Sequence, residues 1–240
     1  MRTDGCSEPL RIGHQGAAAI EPGNTLASFE AAVALGVDMI EFDVIEVSDG
    51  VGTELVVAHD VDEARARTPM LFDHALEYFQ KPDVQSVRLA VDVKGTGHER
   101  RVLATLREAG LVDRSMISGV HIGRIPHIRH IDPTIQAAWT VPRVRRDYTT
   151  DVLTAVPALA ALSGYRRYLP RQALRTLRSG RVDAIMAHWR MVTPGLLRAV
   201  REGGGQLFVW TVDDARMIER LEAMGVDGII TNDPRLFSRR

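Results

Sequence analysis

Two carboxylates stand close together in the segment MIEFDVIEV, residues 39–47. Apolar and polar residues alternate here, which predicts a β-strand, and the period of two places Glu41 and Asp43 on the same face. Ionised carboxylates that are buried in a protein need a cation or hydrogen-bond donors to offset their loss of water. The pair therefore indicates either a solvated strand edge or, if the strand is buried, a cation site.

A third carboxylate, Asp92, interrupts the apolar run LAVDV in the predicted strand RLAVDVK. If this strand lies beside the first one, Asp92 faces the same burial problem as Glu41 and Asp43. Three hard oxygen ligands without a cysteine suit Mg²⁺ or Ca²⁺ better than Zn²⁺. We therefore predict that Glu41, Asp43 and Asp92 bind a divalent metal cofactor, Mg²⁺ or Ca²⁺.

Two histidines stand at predicted strand ends, His14 in GHQG and His59 in AHD. Each alone has an ordinary interpretation as a hydrogen-bonded structural residue. A pair on either side of a metal can act as general acid and general base near neutral pH. Asp60 is then either an orienting partner of His59 or a turn residue.

A second group of histidines lies in the segment HIGRIPHIRHI and comprises His121, His127 and His130. Pro126 interrupts this segment and no carboxylate accompanies it. We interpret the group as a solvated helix face.

Strand-like and helix-like segments alternate along the chain, and we count nine predicted strands. One of them, near residues 53–59, follows the turn-forming segment SDGVGTE and is an accessory hairpin strand. The other eight belong to βα units, as a (β/α)8 TIM barrel of the α/β class requires. An open doubly wound sheet is the alternative, but no glycine-rich phosphate loop follows an early strand. Without a linker or repeat, we predict a single barrel domain over residues 1–240.

Composition narrows the class of protein. The chain has 240 residues, of which 45% are hydrophobic, and a formal net charge of −1, so no global field favours nucleic acid as a partner. The one cysteine excludes an internal disulfide framework. No segment has the pattern of a signal peptide or an integral membrane span, so we expect a cytoplasmic enzyme-sized domain. The sequence does not determine its oligomeric state.

Several segments, taken in order, resemble the glycerophosphodiester phosphodiesterase family: GHQG, EPGNTLASFEAAVALGVDMIEFDV, LVVAHD, VDVK, VWTVDD and GVDGIITNDP. The resemblance runs from about residue 12 to about residue 235. It implies a barrel of the PLC-like phosphodiesterase type that uses a metal to cleave glycerophosphodiesters to an alcohol and glycerol 3-phosphate. Position by position, it implies that His14 and His59 are the acid/base pair and that Glu41 and Asp43 are metal ligands.

The chain departs from this family pattern at three positions. Gln15 stands where the family usually has arginine, Gly23 where it has glutamate, and Asp92 where the third ligand is commonly glutamate. The segment VDVKGTG looks more like the sphingomyelinase D and lysophospholipase D branch. A lipid phosphodiesterase of that kind and a non-catalytic phosphate-binding barrel are therefore the alternatives to a glycerophosphodiesterase.

Four residues are predicted to contact a small phosphodiester substrate: Gln15, Lys94, His188 and Trp210. Lys94 points to the same strand face as Asp92 and is a candidate to replace the missing arginine, since Lys81 is the only other lysine. Trp210 is predicted to form an apolar wall for glycerol carbons, with an ordinary core tryptophan as the alternative.

Arginine supplies almost all the basic charge of the chain, and two segments concentrate it: PRVRRDY and YRRYLPRQALRTLRSGR. We interpret both as solvated surface, with an electropositive lip around the site as the alternative. Three arginines of the first segment are second candidates for the missing phosphate-binding cation: Arg143, Arg145 and Arg146.

Overall fold

The structure is a computed structural model that describes residues 8–48, 50, 52–119, 123, 125–142 and 152–237, with the backbone alone for 125–127 and 152–161. Its ten strands are Leu10–His14 (β1), Met39–Ser48 (β2), Thr53–Val57 (β3), Met70–Leu71 (β4), Arg88–Val93 (β5), Ser115–Gly119 (β6), Gln136–Val141 (β7), Ala184–His188 (β8), Gln206–Trp210 (β9) and Gly228–Thr231 (β10).

Eight α-helices connect these strands within the described residues. They are Leu26–Ala34 (α1), Val61–Ala66 (α2), Phe72–Phe79 (α3), Glu99–Glu108 (α4), Ile125–Ile131 (α5), Val152–Arg178 (α6), Pro194–Glu202 (α7) and Ala215–Met224 (α8).

The sheet closes on itself as a parallel barrel. Eight strands follow the order β1-β10-β9-β8-β7-β6-β5-β2, and pairing of β1 with β2 completes the ring. β3 pairs antiparallel with the distal half of β2, and the two-residue β4 pairs with β3. The predicted (β/α)8 barrel with an accessory hairpin strand is therefore confirmed. The sequence patterns missed β4 and the short helix α2.

Capping residues set the boundaries of the helices that flank the site. Thr25 accepts a hydrogen bond from the Ser28 amide and begins α1 with a capping box, an arrangement that contributes about 1 kcal/mol. Asp60 caps α2 and Asp214 caps α8. Asp60 is therefore a helix cap rather than a hydrogen-bond partner of the His59 ring among the described contacts.

Apolar side chains fill the lower part of the barrel lumen. They are Ile12, Met39, Ala90, Met116, Ala138, Ala184, Met186, Phe208 and Ile230. Their strands also pack outward against the helices, through larger clusters built around Phe29, Phe42 and Phe79 on one side and Leu207 and Val209 on the other. Because strand side chains alternate, the residue two positions after a lumen residue faces the lumen again, one layer higher.

Candidate active site

The strand alternation carries polar side chains into the upper layer of the lumen. Two positions after Met39 and Ala90 come Glu41 and Asp92, and two positions after Ile12 comes His14. The change from apolar to polar occurs toward the carboxyl ends of these strands, which is the catalytic end of such barrels.

The register between β2 and β5 brings the three predicted carboxylates together. Asp43 pairs directly with Asp92, and Glu41 lies one layer below on the same face. One carboxylate oxygen from each of the three residues lies within 4.8 Å of the others. All three are buried, with 5% of Glu41, 1% of Asp43 and 6% of Asp92 exposed. The solvated strand edge is therefore excluded for Glu41 and Asp43.

Lys94 places its ammonium group in this acidic cluster. Its Nζ lies 2.9 Å from Asp43 Oδ1 and also contacts Asp92. Burial disfavours the charged ammonium, but Asp92, Asp43 and Glu41 outweigh that effect and raise the pKa of Lys94 above its ordinary value. Lys94 thus pairs with the carboxylates, and its direct contact with substrate stays a prediction.

The carboxylates themselves respond in opposite directions to this environment. Burial, reinforced by the neighbouring Asp43 and Asp92, raises the pKa of Glu41 well above its ordinary value. Burial acts on Asp43 in the same direction, but Lys94 and hydrogen bonds from His59 and Asn24 outweigh it and lower the pKa of Asp43. Glu41 is therefore the carboxylate for which the cluster provides too little positive charge.

The cluster fits a divalent cation by charge and by donor chemistry. If all three carboxylates are ionised, one ammonium leaves two negative charges in a buried space. Asp43 Oδ1 is buried and, despite the nearby ammonium, has no hydrogen-bond partner among the described residues. A divalent cation that prefers oxygen ligands would neutralise this negative charge and would give Asp43 Oδ1 a partner.

The second oxygen of Asp43 organises the loop that follows β1. It accepts hydrogen bonds from Gln15 Nε2 at 2.7 Å and from Asn24 Nδ2 at 3.0 Å. Asn24 Oδ1 also accepts the Asp43 backbone N–H at 3.1 Å. The side chain of Gln15, predicted to contact substrate, is therefore directed at Asp43.

His14 is held from both sides. Its Nδ1 lies 2.6 Å from Asn232 Oδ1, and its Nε2 lies 3.8 Å from Glu41 Oε2. Asn232 is fixed in turn by Asp213, whose carboxylate accepts both the Asn232 backbone N–H and the side-chain Nδ2–H. The ring of His14 is thereby oriented next to the acidic cluster.

His59 reaches the same cluster from the accessory hairpin. Its Nδ1 lies 3.3 Å from Asp43 Oδ2, while 55% of its side chain is exposed. The hydrogen bond to Asp43 raises the pKa of His59, an effect that burial reduces without reversing. The structure therefore brings both predicted histidines to the carboxylates, as the sequence led us to expect.

His188 and Trp210 form an aromatic wall on the other side of the mouth. Their rings make an edge-to-face contact at 5.2 Å, and the Trp210 indole N–H donates to the Met186 carbonyl at 3.1 Å. In the ring of eight strands, β8 and β9 lie opposite β2 and β5. Both side chains are half-buried, so Trp210 is only partly a core residue.

Sequence reasoning missed Asn24, Asp213 and Ser118 as site residues. Asn24 adopts a left-handed backbone with φ 58°, which asparagine tolerates better than most residues, and this turns its amide toward Asp43. Ser118 donates to Asp92 Oδ1 at 2.9 Å. A polar residue at a strand end was the available signal for Ser118, but its partner depended on strand pairing.

The remaining predictions concern residues away from the cluster. Arg143, Arg145, Arg146 and His121 lie outside the described residues, as does the side chain of His127. His130 is exposed on α5, in agreement with a solvated face. The second arginine-rich segment belongs to α6 and the turn after it. Among the described helices, none is long and apolar enough to cross a membrane.

Comparisons with known proteins agree with this architecture. A barrel whose mouth carries acidic ligands and paired histidines is typical of metal-dependent hydrolases. The sequence profile of the glycerophosphoryl diester phosphodiesterase family matches residues 14–87 and 64–236. The chain belongs to this family and is a phosphoric diester hydrolase.

Individual relatives cover nearly the whole chain. A glycerophosphodiester phosphodiesterase of Caldanaerobacter subterraneus subsp. tengcongensis is 29% identical over 240 residues, covering 94% of each chain. The fold matches a glycerophosphodiester phosphodiesterase of Parabacteroides distasonis (TM-score 0.73, 17% identity, 95% and 94% coverage). It also matches an Oleispira antarctica phosphodiesterase in complex with the product sn-glycerol-3-phosphate (TM-score 0.68, 16% identity, 95% and 94% coverage).

Proposed function

We propose that this chain hydrolyses small glycerophosphodiesters to an alcohol and glycerol 3-phosphate, with Mg²⁺ or Ca²⁺ held by Glu41, Asp43 and Asp92. The observation that carries the proposal is the buried three-carboxylate cluster with a histidine in contact on each side. Family membership supports the reaction class, and the product seen in the Oleispira antarctica structure supports the substrate class.

The two histidines are proposed to move the protons of the reaction. One accepts the proton of the attacking glycerol hydroxyl as its oxygen bonds to phosphorus, and the other donates a proton to the leaving oxygen as its bond to phosphorus breaks. Water then opens the resulting cyclic phosphate to glycerol 3-phosphate, with the two proton transfers reversed. Asn232 holds His14 and Asp43 holds His59, so each ring is oriented before substrate binds. The cation, when bound, would neutralise negative charge that develops on the phosphate.

The other site residues are proposed to shape the binding cavity. Lys94 pairs with Asp43 and Asp92 and reduces the repulsion of an incoming phosphate. Gln15 offers a neutral amide close to the cluster, and His188 with Trp210 provides an apolar surface opposite it. A phosphodiester thus meets charge on one side of the mouth and aromatic carbon on the other.

We propose a single-domain cytoplasmic enzyme whose partner is its small-molecule substrate. Fractionation of cells that produce the tagged chain tests the location, because a cytoplasmic protein stays in the supernatant after the membranes are sedimented.

A panel of phosphodiesters tests the function. Glycerophosphocholine, glycerophosphoethanolamine, lysophosphatidylcholine and sphingomyelin are incubated with the chain, with and without chelator, and products are identified by mass spectrometry. We expect glycerol 3-phosphate from the first two, its loss with chelator, and its recovery with Mg²⁺ or Ca²⁺. Hydrolysis of the two lipids alone would contradict the proposed substrate class, and metal-independent hydrolysis would contradict the site.

Asp43→Asn provides the matched test of the ligands. The exchange keeps the shape of the side chain but removes a charged ligand, so turnover should be lost and calcium or magnesium binding weakened. Asp73→Asn, at an exposed position in the first turn of α3, is the control. Wild-type turnover of Asp43→Asn with added metal would contradict the three-carboxylate site.

A further inference from the structure

A polar connection joins the backbone of His59 to the loop after β1. Glu63 Oε2 accepts the His59 N–H at 2.5 Å, and Glu63 Oε1 accepts from Arg67 Nη2 at 2.5 Å. Arg67 Nη2 also donates to the Gly23 carbonyl at 2.7 Å. Two side chains thus bridge two loops that are 44 residues apart at Gly23 and Arg67.

This bridge closes a ring of contacts at the acidic cluster. Gly23 precedes Asn24, whose side chain exchanges two hydrogen bonds with Asp43. Asp43 Oδ2 lies 3.3 Å from the His59 ring. His59 is therefore fixed at two points, its ring by Asp43 and its backbone by the Glu63–Arg67 bridge, and both points lead back to the same loop.

The helix that carries Glu63 is short, and Ala64 is its one described residue that packs against a buried apolar cluster. α2 is six residues long and contains no fully buried side chain. A helix this short is marginal without tertiary contacts. Asp60 caps it through the Glu63 amide at 2.8 Å, directly after His59. The position of His59 therefore depends on where Glu63 and Arg67 hold α2.

Arg67 has a hydrogen-bonding pattern that is unfavourable for the stability of the fold. Its Nε is buried and has no hydrogen-bond partner among the described residues, an arrangement that is unfavourable in a folded protein. The guanidinium makes its described contacts through Nη2, to Glu63 and Gly23. Arg67 therefore connects the two loops while its own Nε–H has no described hydrogen-bond partner.

We propose that Glu63 and Arg67 are positioning residues that set the distance of His59 from the acidic cluster. The inference rests on the proposed function, in which His59 transfers a proton. Displacing such a group by about 1 Å lowers turnover by about 100-fold. Glu63 and Arg67 should therefore act on the chemical step and leave substrate affinity nearly unchanged.

Kinetics of alanine variants test this inference. Arg67→Ala and Glu63→Ala should each lower kcat by about 10- to 100-fold, with KM changed less than about threefold. The kcat of the double variant should be no lower than that of the more impaired single variant. Arg67→Lys and Glu63→Gln, which each keep one half of the bridge, should recover part of kcat. Arg65→Ala and Asp62→Ala, exposed on the same helix, are the controls and should match wild type. A rise in KM at constant kcat, or effects no larger than the controls, overturns the proposal.

Amide hydrogen exchange of the metal-free protein supplies a readout that needs no activity. Glu63→Ala should speed exchange at His59 by about tenfold because its N–H loses its acceptor, whereas Asp62→Ala should not. Unchanged exchange at His59 overturns the bridge. If wild type cleaves no phosphodiester at all, the proposed function fails, and the exchange data still decide whether the bridge holds His59.

Discussion

Lys94 Nζ lies 2.9 Å from Asp43 Oδ1, inside a cluster of three buried carboxylates. The lysine that we expect to contact substrate is also an internal counter-ion of the carboxylates that would bind the metal. This relationship makes the cluster tolerable in the metal-free protein, because one positive charge offsets part of the acidic charge.

Replacing this lysine should lower the stability of the metal-free protein. In metal-free protein, Lys94→Ala leaves three carboxylates without a counter-ion and should cost about 1.5 to 3 kcal/mol, the range for hydrogen bonds to charged groups. Added Mg²⁺ or Ca²⁺ should restore most of that loss. Chemical denaturation with chelator and with metal measures both effects.

The second lysine of the chain is the control for this experiment. Lys81 is exposed and lies over the Tyr78 ring, 5.2 Å from its centroid and away from the carboxylates. Lys81→Ala should therefore show no metal-dependent change in stability. Equal behaviour of the two variants would show that Lys94 does not neutralise the cluster.

Glu41→Gln should stabilise the metal-free protein at neutral pH while weakening its response to metal. Burial and the neighbouring aspartates raise the pKa of Glu41 above 4.5, so the folded state binds its proton more tightly than the unfolded state does. Stability from Glu41 is present below pH 4.5 and is lost as pH rises toward the folded pKa. A neutral amide avoids that loss.

Thermal unfolding with and without divalent metal measures the effect of Glu41→Gln. Each kcal/mol moves the midpoint by about 2 to 4 °C in a chain of this size. We expect a higher midpoint than wild type in chelator and a smaller rise on adding metal. A variant that is less stable than wild type in chelator at pH 7.5 would contradict the charge imbalance assigned to the cluster.

Substitution of either histidine should lower turnover strongly, and the two effects should not be additive. His14→Ala and His59→Ala should each lower kcat by about 100- to 10,000-fold, the scale for a lost general acid or base. The double variant should lose far less than the product of the two losses, because both residues serve one reaction.

An activated substrate distinguishes the acid from the base. A nitrophenyl diester needs no proton at its leaving oxygen, so it should rescue the variant that lacks the acid and leave the other impaired. Rescue of both variants by the activated substrate would contradict the assignment of one acid and one base. Full activity of either variant with glycerophosphocholine would show that the replaced histidine does not transfer a proton.

The side chains at positions 15 and 23 are coupled, so substitutions there should be tolerated only when they are made together. A Cβ atom at Gly23 would lie 2.5 Å from Gln15 Oε1 and 3.0 Å from Gln15 Cβ, so a side chain at position 23 displaces the one at position 15. Gly23→Glu alone should therefore disturb the Gln15–Asp43 hydrogen bond and lower kcat/KM. Gln15→Arg with Gly23→Glu should raise kcat/KM for glycerophosphocholine by about 10- to 100-fold, because arginine binds phosphate through charge-assisted hydrogen bonds.

A four-member series measures this coupling: wild type, both single variants and the double variant. Gly164→Ala, where a Cβ would meet nothing within 4 Å, is the control for adding a side chain in α6. Additive effects of the two substitutions, or a double variant that is worse on every diester, would show that this part of the site is built for another ligand.

The sequence alone determined the barrel and the identity of its ionisable groups. Alternating apolar residues around Glu41 and Asp43 identify a strand with one buried face, and eight such strands separated by helices leave few ways to bury all of them. The positions of His14, His59 and Asp92 at strand ends follow from the same periodicity. These features are local, so they can be read from neighbours in the chain.

Only the tertiary structure decided which of these groups touch. The pairing of Asp43 with Asp92 depends on the register of β2 against β5, and the contact of Lys94 with both carboxylates follows from the same pairing. The Arg67 hydrogen bond to the Gly23 carbonyl and the Asn24 amide at Asp43 join segments that carry no mutual signal in the sequence. Charge balance and orientation in the site arise from such long-range contacts, because a hydrogen bond depends on position in space and not on separation along the chain.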